Sequence, residues 1–341
     1  MTHEVLVYVS VLNWNKASTT LACLEHLFKA KLPPHLTMKV FVVDNGSRQE
    51  DWSHLSENIN NPLATVIRLE QNLGFCGGHN IVMQRAIDDA ADYVWLVNND
   101  GVPLPETLAN LASLAGRTPS CGAVSPLIVG LDDKDRIDFC GAYHDWKKLM
   151  PTYFDNVGEA GNAMAMPGTE LWLVGAAVLF RVKAIKQIGL LDEAFFAYYE
   201  DNDISARLLA AGWRNIVDAN ARFQHEIPNT RPPYFYYLMA RNACFFWLRH
   251  TPKPYRRFIW LRLLERAVFS ANKLLYGGEA KNKADACLLG GLDGLLGHGG
   301  APDLNRKVPW FMVLLRKMLW FYHIRHINHD DIPINSGAET P

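Results

Sequence analysis

Four short apolar runs, each followed by polar residues or glycine, set the pattern of the amino-terminal part of the chain. They are Val5–Leu12, Met38–Val43, Ala64–Leu69 and Tyr93–Val97. Their β-branched and aromatic content predicts buried strands. Stretches between them show helical spacing of apolar residues, as in the helix expected to be capped by Ser18 or Thr19. Strands that alternate with helices predict an α/β fold with a doubly wound, mostly parallel sheet.

Polar side chains stand at the predicted carboxyl ends of these strands. Asn13 follows the first strand, Asp44 the second, and Asn98-Asn99-Asp100 the fourth. Ligands of open α/β sheets bind outside the carboxyl ends of strands, and a carboxylate with substrate phosphates suffices to hold Mg²⁺ or Mn²⁺. Asp100 therefore predicts a metal site, although an ordinary Asn-Asp-Gly turn explains the same residues.

Three glycines, Gly74, Gly77 and Gly78, follow the third strand and precede a helix predicted at about Asn80–Ala91. Their spacing is neither the dinucleotide-binding fingerprint nor a P-loop, which removes support for hydride transfer and for NTP hydrolysis. Glycines allow a ligand to approach the backbone, and they also form tight strand-to-helix turns. Both interpretations stay open for this cluster.

The next stretch continues the alternation with one long interruption. Its predicted elements are the helices Leu104–Leu114 and Val182–Ile188 and the strands Cys121–Val129, Glu170–Phe180 and Ile216–Phe223. The polar segment Asp132–Met166 is predicted to be irregular, and segments of that length usually carry function or move. Gly175, inside a predicted strand, indicates close approach of a ligand or another backbone.

An acidic cluster opens the helix that ends at Gly212. Glu200, Asp201 and Asp203 occupy its first turn, directly after two tyrosines. Capping and the helix dipole explain one or two acids there, but they do not explain the aromatic side chains, which predict a pocket. His225 follows the last strand, and a lone histidine at a strand end is more often a hydrogen-bonded surface residue than a ligand.

Charge and cysteine content narrow the class of protein. The net charge is −1, but residues 229–341 carry 16 Lys+Arg against 8 Asp+Glu, which predicts an anionic surface or substrate for this part. The six cysteines form no C-x-x-C pair, which favours a reducing compartment. Neither a signal peptide nor a membrane-spanning segment is expected.

Seven motifs occur in a distinctive order. They are VSVLNWN (9–15), VFVVDNGS (40–47), NLGFCGGHN (72–80), VWLVNNDGV (94–102), LVGAAVLFR (173–181), GLLDEAFFAYYEDNDISARLLAAGW (189–213) and the single His225. In this order they resemble the family 2 glycosyltransferases with a GT-A fold, most of all the bacterial rhamnosyltransferase-like branch. The resemblance covers about Val5–Trp247, and its specificity lies in the order, since each motif alone is weak.

The resemblance implies a role for each matching residue. It implies that Asp44 contacts the base and that the Asn72–Asn80 loop surrounds the donor. The residues implied to bind the nucleotide-sugar are Asn13, Asp44, Asn72, Gly74, Phe75, Gly78, Asn80, Asn98, Asn99 and Asp100. It implies that Asp100 and His225 bind Mn²⁺ or Mg²⁺ and that Asp201 is the general base. The residues implied to contact the acceptor are Trp172, Gly175, Tyr199 and Glu200.

The expected reaction follows from those roles. Expulsion of a nucleoside diphosphate needs a cation for its growing charge, and the acceptor hydroxyl needs a carboxylate base. One base without an opposed nucleophile predicts a single displacement with inversion at the anomeric carbon. The family's D-x-D metal motif is here Asn98-Asn99-Asp100, so Asn98 is expected to contact the donor rather than the metal.

The resemblance implies an inverting glycosyltransferase of bacterial surface polysaccharide or lipopolysaccharide synthesis. dTDP-L-rhamnose is favoured as donor, with a UDP-sugar as the alternative, and the acceptor is a glycan or a lipid-linked glycan. No nucleic acid partner is expected. A catalytically silent nucleotide-sugar- or glycan-binding protein stays open because the first acid of D-x-D is missing. A nucleotidyltransferase would need a basic triphosphate loop, for which Asn13–Lys16 is poorly suited.

Three regions are expected along the chain. Residues 1–228 form a catalytic domain, with a nucleotide-sugar half at about 1–102 and an acceptor half at about 103–228. Residues 229–329 form a helical region, and residues 330–341 form a disordered tail. The aromatic stretch Val308–Ile324 predicts either an interfacial helix or a helix packed on the catalytic domain or on a second subunit. The expected location is the cytoplasm, with peripheral contact to the inner membrane in the first case.

Overall fold

The computed structural model describes residues 4–133, 135–154, 156–165, 170–225 and 230–327 of the chain. These residues fall into two compact units, Met1–Pro228 and Asn229–Pro341, each with a hydrophobic cluster of its own. The tail expected from Asp330 lies outside the described residues.

The first unit alternates strands and helices. Its described strands are β1 (Val5–Asn13), β2 (Leu36–Asp44), β3 (Ala64–Arg68), β4 (Tyr93–Val97), β5 (Gly101–Pro103), β6 (Cys121–Gly130), β7 (Ile137–Phe139), β8 (Ala142–Asp145), β9 (Met150–Tyr153), β10 (Leu171–Trp172), β11 (Ala177–Arg181) and β12 (Arg214–His225). Its described α-helices are α1 (Ala17–Leu27), α2 (Gln49–Asn58), α3 (Gly74–Asp88), α4 (Thr107–Arg117), α5 (Val157–Ala165), α6 (Val182–Ile188) and α7 (Glu200–Ala210).

The main sheet follows the order β3-β2-β1-β4-β11-β6-β12-β5, with β7 paired to β6. Strands β1, β2, β3, β4, β6 and β12 run in one direction, and β5, β7 and β11 run in the other. The predicted α/β fold with a mostly parallel sheet is therefore confirmed. Strands β10, β8 and β9 form a separate antiparallel sheet, the small sheet.

The apolar runs of the sequence mark the strands in the middle of the main sheet. All residues of β4 are buried, and so are those of β2 from Val40 onward. Strands covered on both faces need apolar side chains at every position, which explains runs that are continuous rather than alternating. The register places Asn13 beside Asp44 and Val97 beside Ala177, so the carboxyl ends of β1, β2 and β4 meet at one edge.

The predicted start of α1 is wrong. The helix begins after Lys16 rather than at Ser18 or Thr19, and no side chain of its own caps it. The reason is a tertiary contact, because Asp51 Oδ1 accepts the Ala17 N–H at 2.8 Å and so replaces a local cap. Asp51 belongs to α2, a helix that the apolar pattern did not predict because it buries one leucine.

The predicted loop Asn72–Asn80 is mostly helix. α3 begins at Gly74, where Asn72 Oδ1 accepts the Gly74 N–H at 2.8 Å. The glycine-rich sequence disguised this helix start, since glycine has a low helix propensity.

The prediction of an irregular Asp132–Met166 is also wrong, because this segment supplies β7, β8, β9 and α5. The single strand expected at Glu170–Phe180 is divided into β10 and β11. The division arises because Leu171 and Trp172 pair with β8 in the small sheet, whereas Ala177 begins the pairing with β4 in the main sheet.

The second unit is helical in its described part. Its α-helices are α8 (Pro233–His250), α9 (Ile259–Tyr276), α10 (Lys281–Leu296), α11 (Trp310–Met318) and α12 (Trp320–Ile324). The helix expected over Val308–Ile324 is thus divided at Leu319. Val268, Leu288 and Met312 form the centre of its core. Within the described ranges, no helix combines the length and apolarity needed to cross a bilayer.

All six cysteines are free and buried. Burial raises the pKa of the Cys23, Cys244 and Cys287 thiols to about 12 and that of Cys121 to about 11.

Candidate active site

Asp44 is held at the end of β2 by buried side chains. The Asn13 amide donates to Asp44 Oδ1 at 2.9 Å and to Asp51 Oδ2 at 2.8 Å. The Thr20 hydroxyl donates to Asn13 Oδ1 at 2.8 Å and accepts from Asn99 Nδ2 at 2.9 Å, which joins the end of β4 to this network. Asn13 and Asp44 have no exposed surface. Asn13 therefore fixes Asp44, and direct contacts of either residue with a nucleotide stay predictions.

The glycines of α3 bring segments of the protein together. Gly74 has φ +74°, and a Cβ there would lie 2.4 Å from the Phe196 carbonyl oxygen, so only glycine fits. A Cβ on Gly78 would lie 2.8 Å from a Leu12 methyl group. The small size of both residues is used for packing within the protein, and the predicted donor contacts of Asn72, Gly74 and Gly78 stay predictions.

Asn80 and Phe75 tie α3 to the segments around the acidic helix. Asn80 Nδ2 donates to the Leu191 carbonyl at 2.9 Å and to Glu193 Oε1 at 3.0 Å. Phe75 lies beside Gly175, where a Cβ would approach its ring to 3.3 Å. α3 thus contacts the segments that precede α7 and β11, while donor contacts of Asn80 and Phe75 remain predictions.

Asp100 and His225 meet at the end of β12. The pairing of β5 with β12 sets Gly101 opposite His225, which brings Asp100 Oδ1 to 3.2 Å from His225 Nε2. Asn98 Nδ2 lies 3.4 Å from the same nitrogen. Two residues that the motifs placed far apart in the chain are therefore close in space.

The Asp100 carboxylate has the properties of a metal ligand. Burial alone would raise its pKa, but His225 and Lys16 lower the pKa overall, so the charged form is favoured. Asp100 Oδ1 is buried, lies 3.2 Å from His225 Nε2 and has no other partner among the described atoms. Adjacent ligands of a six-coordinate ion at about 2.1 Å lie about 3 Å apart. The Asp100–His225 separation of 3.2 Å therefore fits one Mg²⁺ or Mn²⁺.

The chain enters α7 through a strained turn. Phe196, Tyr198 and Tyr199 have φ values of +63°, +68° and +69°, a region that costs a bulky residue of order 1–3 kcal/mol. The Cys76 N–H holds this turn by donating to the Phe196 carbonyl at 3.1 Å. Tyr199 is buried at the helix N-cap. Its observed role is to set the direction of α7, and its contact with an acceptor stays a prediction.

Asp201 lies half-buried at the start of α7 with three N–H donors on its carboxylate. Oδ1 accepts the backbone and side-chain N–H groups of Asn202, both at 2.8 Å, and Oδ2 accepts the Gly175 N–H at 3.1 Å. Burial raises the pKa of Asp201, although these donors oppose the shift. A carboxylate that burial has made more basic is suited to general-base catalysis.

The two neighbouring acids are held differently. Glu200 is 6% exposed, and its Oε2 has no hydrogen-bond partner among the described atoms. Burial and the charges of Asp201 and Asp203 raise the pKa of Glu200 well above its ordinary value, which favours its neutral form. Asp203 is fully buried and accepts the Arg207 Nε–H at 2.8 Å. These differences agree with the prediction that Asp201 is the base, and the assignment stays a prediction.

Two consecutive residues join the predicted base to the segment that carries the predicted metal ligand Asp100. The Gly175 N–H donates to Asp201 Oδ2 at 3.1 Å, and the Ala176 carbonyl accepts the Asn98 N–H at 2.8 Å. These two bonds are possible because β11 is antiparallel to β4, so the beginning of β11 lies beside the end of β4. Asp201 and the Asp100–His225 pair consequently share one edge of the sheet.

Sequence reasoning missed two buried residues beside this edge. His144 Nε2 lies 2.8 Å from Asn202 Oδ1, and the His144 ring stacks on Trp172. Asn202 lies within the 189–213 motif but was given no role, and no motif includes His144, for which the length of its polar segment was the one signal of function. Trp172 itself is buried, so its contact with an acceptor stays a prediction.

The family model described as glycosyl transferase family 2 matches residues 8–189, more than half of the chain. The chain belongs to this family. The predicted family and the predicted class of enzyme are thereby confirmed. The matched part of this family 2 glycosyltransferase includes Asp44, Asp100 and Gly175 and ends before Asp201 and His225. The match shows the family, and the roles of all five residues stay predictions.

Two mycobacterial enzymes illustrate the curated relatives of this glycosyltransferase. It is 26% identical over 216 residues to galactofuranosyltransferase GlfT1 of Mycolicibacterium smegmatis, covering 62% of this chain and 68% of that protein. It is 25% identical over 213 residues to the N-acetylglucosaminyl-diphospho-decaprenol L-rhamnosyltransferase of Mycobacterium tuberculosis, covering 55% of this chain and 66% of that protein. The chain thus matches about two thirds of the length of these relatives.

Solved structures share the fold. The mannosyltransferase PcManGT from Pyrobaculum calidifontis in complex with GDP-Man and Mn²⁺ aligns with a TM-score of 0.54 at 16% identity, covering 86% of this chain and 88% of that one. S. aureus TarS 1–349 in complex with UDP-GlcNAc aligns with a TM-score of 0.54 at 15% identity, covering 94% and 88%. At such identities the likeness concerns the fold alone, and it confirms the predicted GT-A architecture.

Proposed function

We propose that the chain transfers a sugar, with inversion, from a nucleoside diphosphate sugar to a hydroxyl of a bacterial surface glycan. The observation that carries this proposal is the Gly175–Ala176 segment, which is bonded on one side to Asp201 and on the other to Asn98. The predicted base and Asn98, which precedes the predicted metal ligand Asp100, are therefore bonded to consecutive residues, and this supports a reaction between a donor and an acceptor hydroxyl beside this segment. The galactofuranosyl and L-rhamnosyl transfers in the relatives' names support a surface glycan.

The proposed mechanism gives each residue one task. Asp100 and His225 would hold a divalent cation, and that cation would supply positive charge to offset the negative charge on the departing diphosphate. Asp201 accepts the proton of the acceptor hydroxyl while that oxygen attacks the anomeric carbon. The donor C–O bond breaks as the new glycosidic bond forms on the opposite face. One displacement inverts the carbon, and the nucleoside diphosphate leaves.

A cation held by two protein ligands suits this chemistry. In the part of the chain that the structure describes, no group of three or more His, Cys, Asp or Glu side chains is arranged to hold a metal. Mg²⁺ commonly takes one or two carboxylates and completes its shell with substrate phosphates and water. Mg²⁺ and Mn²⁺ are both proposed, and the presence of Asp100, Asp201 and His225 in the chain disfavours the silent-protein alternative.

We infer that the donor carries uracil or thymine. A carboxylate such as Asp44 accepts the imide N–H of these bases, which cytosine lacks. The partly exposed Arg68 side chain lies 3.9 Å from Asp44 Oδ2. dTDP-L-rhamnose is the first donor proposed and UDP-galactofuranose the second.

A donor panel tests the proposed function. dTDP-L-rhamnose, UDP-galactofuranose, UDP-GlcNAc and GDP-mannose are each incubated with Mn²⁺, and released nucleoside diphosphate is measured. Turnover with a UDP- or dTDP-sugar is expected. Turnover with GDP-mannose alone would contradict the inference that the donor carries uracil or thymine, and tight binding of every donor without turnover would revive the silent binding protein.

The second, helical unit exposes a set of apolar side chains, and these are relevant to how an acceptor is presented to the protein. The exposed residues are Phe258, Trp260 and Leu261 at the start of α9 and Trp310, Met318, Phe321 and Tyr322 on α11 and α12, together the aromatic surface. Trp310 is 76% exposed and Phe321 is 72% exposed. His323 Nε2 of α12 lies 3.1 Å from Glu265 Oε1 of α9, one turn after Leu261, so both groups belong to one region.

We propose that the aromatic surface contacts an anionic membrane. Tryptophan and phenylalanine beside basic residues are typical of helices in the bilayer interface, and Arg256, Arg257 and Lys317 are exposed next to the aromatic side chains. The M. tuberculosis relative is named for a diphospho-decaprenol acceptor, and a lipid-linked acceptor would be presented at such a surface. Free cysteines favour the cytoplasmic face.

Vesicle binding tests this contact. The intact protein is expected to co-sediment with phosphatidylglycerol vesicles more than with phosphatidylcholine vesicles. The double variant Trp310→Ser, Phe321→Ser should lose binding, whereas Leu296→Ser, an exposed position of α10 outside the aromatic surface, should keep it. If wild type never binds vesicles and the double variant dissociates a dimer in light scattering, the aromatic surface is a contact between copies.

A further inference from the structure

A buried chain of hydrogen bonds leads from the small sheet to the predicted base. His144 occupies a buried position of β8, and Asn202 is buried in the first turn of α7. His144 Nε2 is 2.8 Å from Asn202 Oδ1, and the side-chain and backbone N–H groups of Asn202 both donate to Asp201 Oδ1 at 2.8 Å. A single amide therefore connects His144 to Asp201.

The direction of each bond fixes the role of each atom. The Asn202 amide nitrogen donates to the Asp201 carboxylate, so Asn202 Oδ1 faces His144 and accepts a proton donor there. His144 Nε2 consequently carries hydrogen, and its N–H holds the amide in the orientation that serves Asp201. With the Gly175 N–H on Oδ2, three donors fix the plane of the Asp201 carboxylate.

Aromatic rings fix His144 in turn. Its ring stacks on Trp172 at 6.0 Å between centroids and 20° between planes, and it is tilted against Trp146 at 5.2 Å. Trp172 packs against Phe139 at 5.4 Å and Tyr153 at 5.8 Å. Because these rings come from β7, β9 and β10 as well as from the turn after β8, they restrain the imidazole from several sides.

We propose that His144 is a positioning residue that orients Asp201 through Asn202, and that the small sheet serves the reaction by holding His144 in place. This inference rests on the proposed role of Asp201 as the base. A base has to present one lone pair to the acceptor hydroxyl, and bonds to its other lone pairs fix that direction. The same N–H donors favour the charged carboxylate, which burial disfavours.

Variants of His144 separate positioning from packing. His144→Ala frees the Asn202 amide, so kcat is expected to fall about 10-fold or more while the donor KM is unchanged. The acid limb of the kcat–pH profile should move up by about one unit, because Asp201 loses a donor to its charged form. His144→Gln, which offers an amide N–H near the position of Nε2, should restore most of kcat and most of the wild-type pH profile. Tyr143→Ala, at an exposed position of β8, is the matched control and should change neither.

The outcomes distinguish this inference from the proposed function. Asp201 and Asp203 are the neighbouring acids whose charges raise the pKa of Glu200, and the His144 variants leave all three acids in place. A lower melting temperature with an unchanged pH profile, or equal damage by Ala and Gln, would overturn the positioning role. If Asp201→Asn keeps wild-type kcat, the base assignment fails. If Asp201→Asn is inactive while His144→Ala is fully active, only the positioning role fails.

Discussion

Replacing Asp201 by asparagine tests the base assignment most directly. The asparagine oxygen can keep both N–H bonds from Asn202, but the new NH₂ group then faces the Gly175 N–H, whose nitrogen lies 3.1 Å from Oδ2 in the wild type. Two donors that face each other cost about 1–3 kcal/mol of stability. Asp201→Asn is therefore expected to fold, with a modestly lower melting temperature.

The kinetic effect of Asp201→Asn should be much larger than its effect on stability. General-base catalysis is typically worth about 10²–10⁴-fold in kcat, which is about 3–5 kcal/mol of activation free energy. The donor KM should barely change, because Asp44 and Asp100 are untouched. Wild-type kcat should rise with pH as Asp201 ionises, with an acid limb above the ordinary aspartate range of about 4, since burial raises the pKa. The variant should lack this limb.

Asp203→Asn is the matched control. It breaks a buried ion pair with Arg207, so it should lower the melting temperature more, by the equivalent of about 3–5 kcal/mol, while the folded fraction keeps its kcat. Steady-state assays and thermal melts on the same preparations give both quantities. If Asp201→Asn turns over normally and Glu200→Gln is inactive, the base is misassigned by one residue. If all three variants are active, α7 does not supply the base.

Three further outcomes are expected. Glu200→Gln should raise the melting temperature at about pH 8, with a gain that vanishes toward about pH 4. Glu200 binds its proton more tightly in the folded chain than in the unfolded chain. The wild-type protein therefore loses stability as the pH rises through the raised pKa of Glu200. EDTA should abolish turnover, Mn²⁺ should restore it, and Asp100→Ala should weaken Mn²⁺ binding in calorimetry with UDP; full activity in EDTA would remove the metal. Gly101→Ala places a Cβ 2.0 Å from the Phe223 ring, so about 1–3 kcal/mol of stability and part of the Mn²⁺ affinity should be lost. Gly116→Ala is the control, because open space surrounds that position, and it should leave both the stability and the Mn²⁺ affinity intact or slightly improved.

The middle of the main sheet could be predicted from the sequence because burial on two faces leaves a continuous apolar run. β1, β2 and β4 are such strands. Asp44 and Asp100 were found with them, since polar residues that follow parallel strands reach the same edge. The apolar pattern of the strands and the position at the sheet edge were together sufficient to predict where Asp44 and Asp100 lie.

The direction of β11 and the placement of His144 could not be predicted in this way. The run Ala177–Arg181 has the same pattern in either direction, and its antiparallel course is set by pairing with β4 and β6. The strands around His144 are short and polar, and the contacts that stabilise them, such as Phe139 against Trp172, join residues far apart in the chain. Such long-range contacts leave no local periodicity.

Every cysteine of the chain is buried, so the rate at which each thiol reacts with a reagent reports how often the structure around it opens. Reagents attack the thiolate, and a pKa of about 11–12 for Cys23, Cys121, Cys244 and Cys287 leaves about one thiolate in 10³–10⁴ at about pH 8 in the closed state. Alkylation therefore waits for local unfolding. Cys23 and Cys121 belong to the first unit, and Cys244 and Cys287 belong to the second. The labelling rates of these two pairs, read by mass spectrometry, time the opening of each unit separately in the unmodified chain.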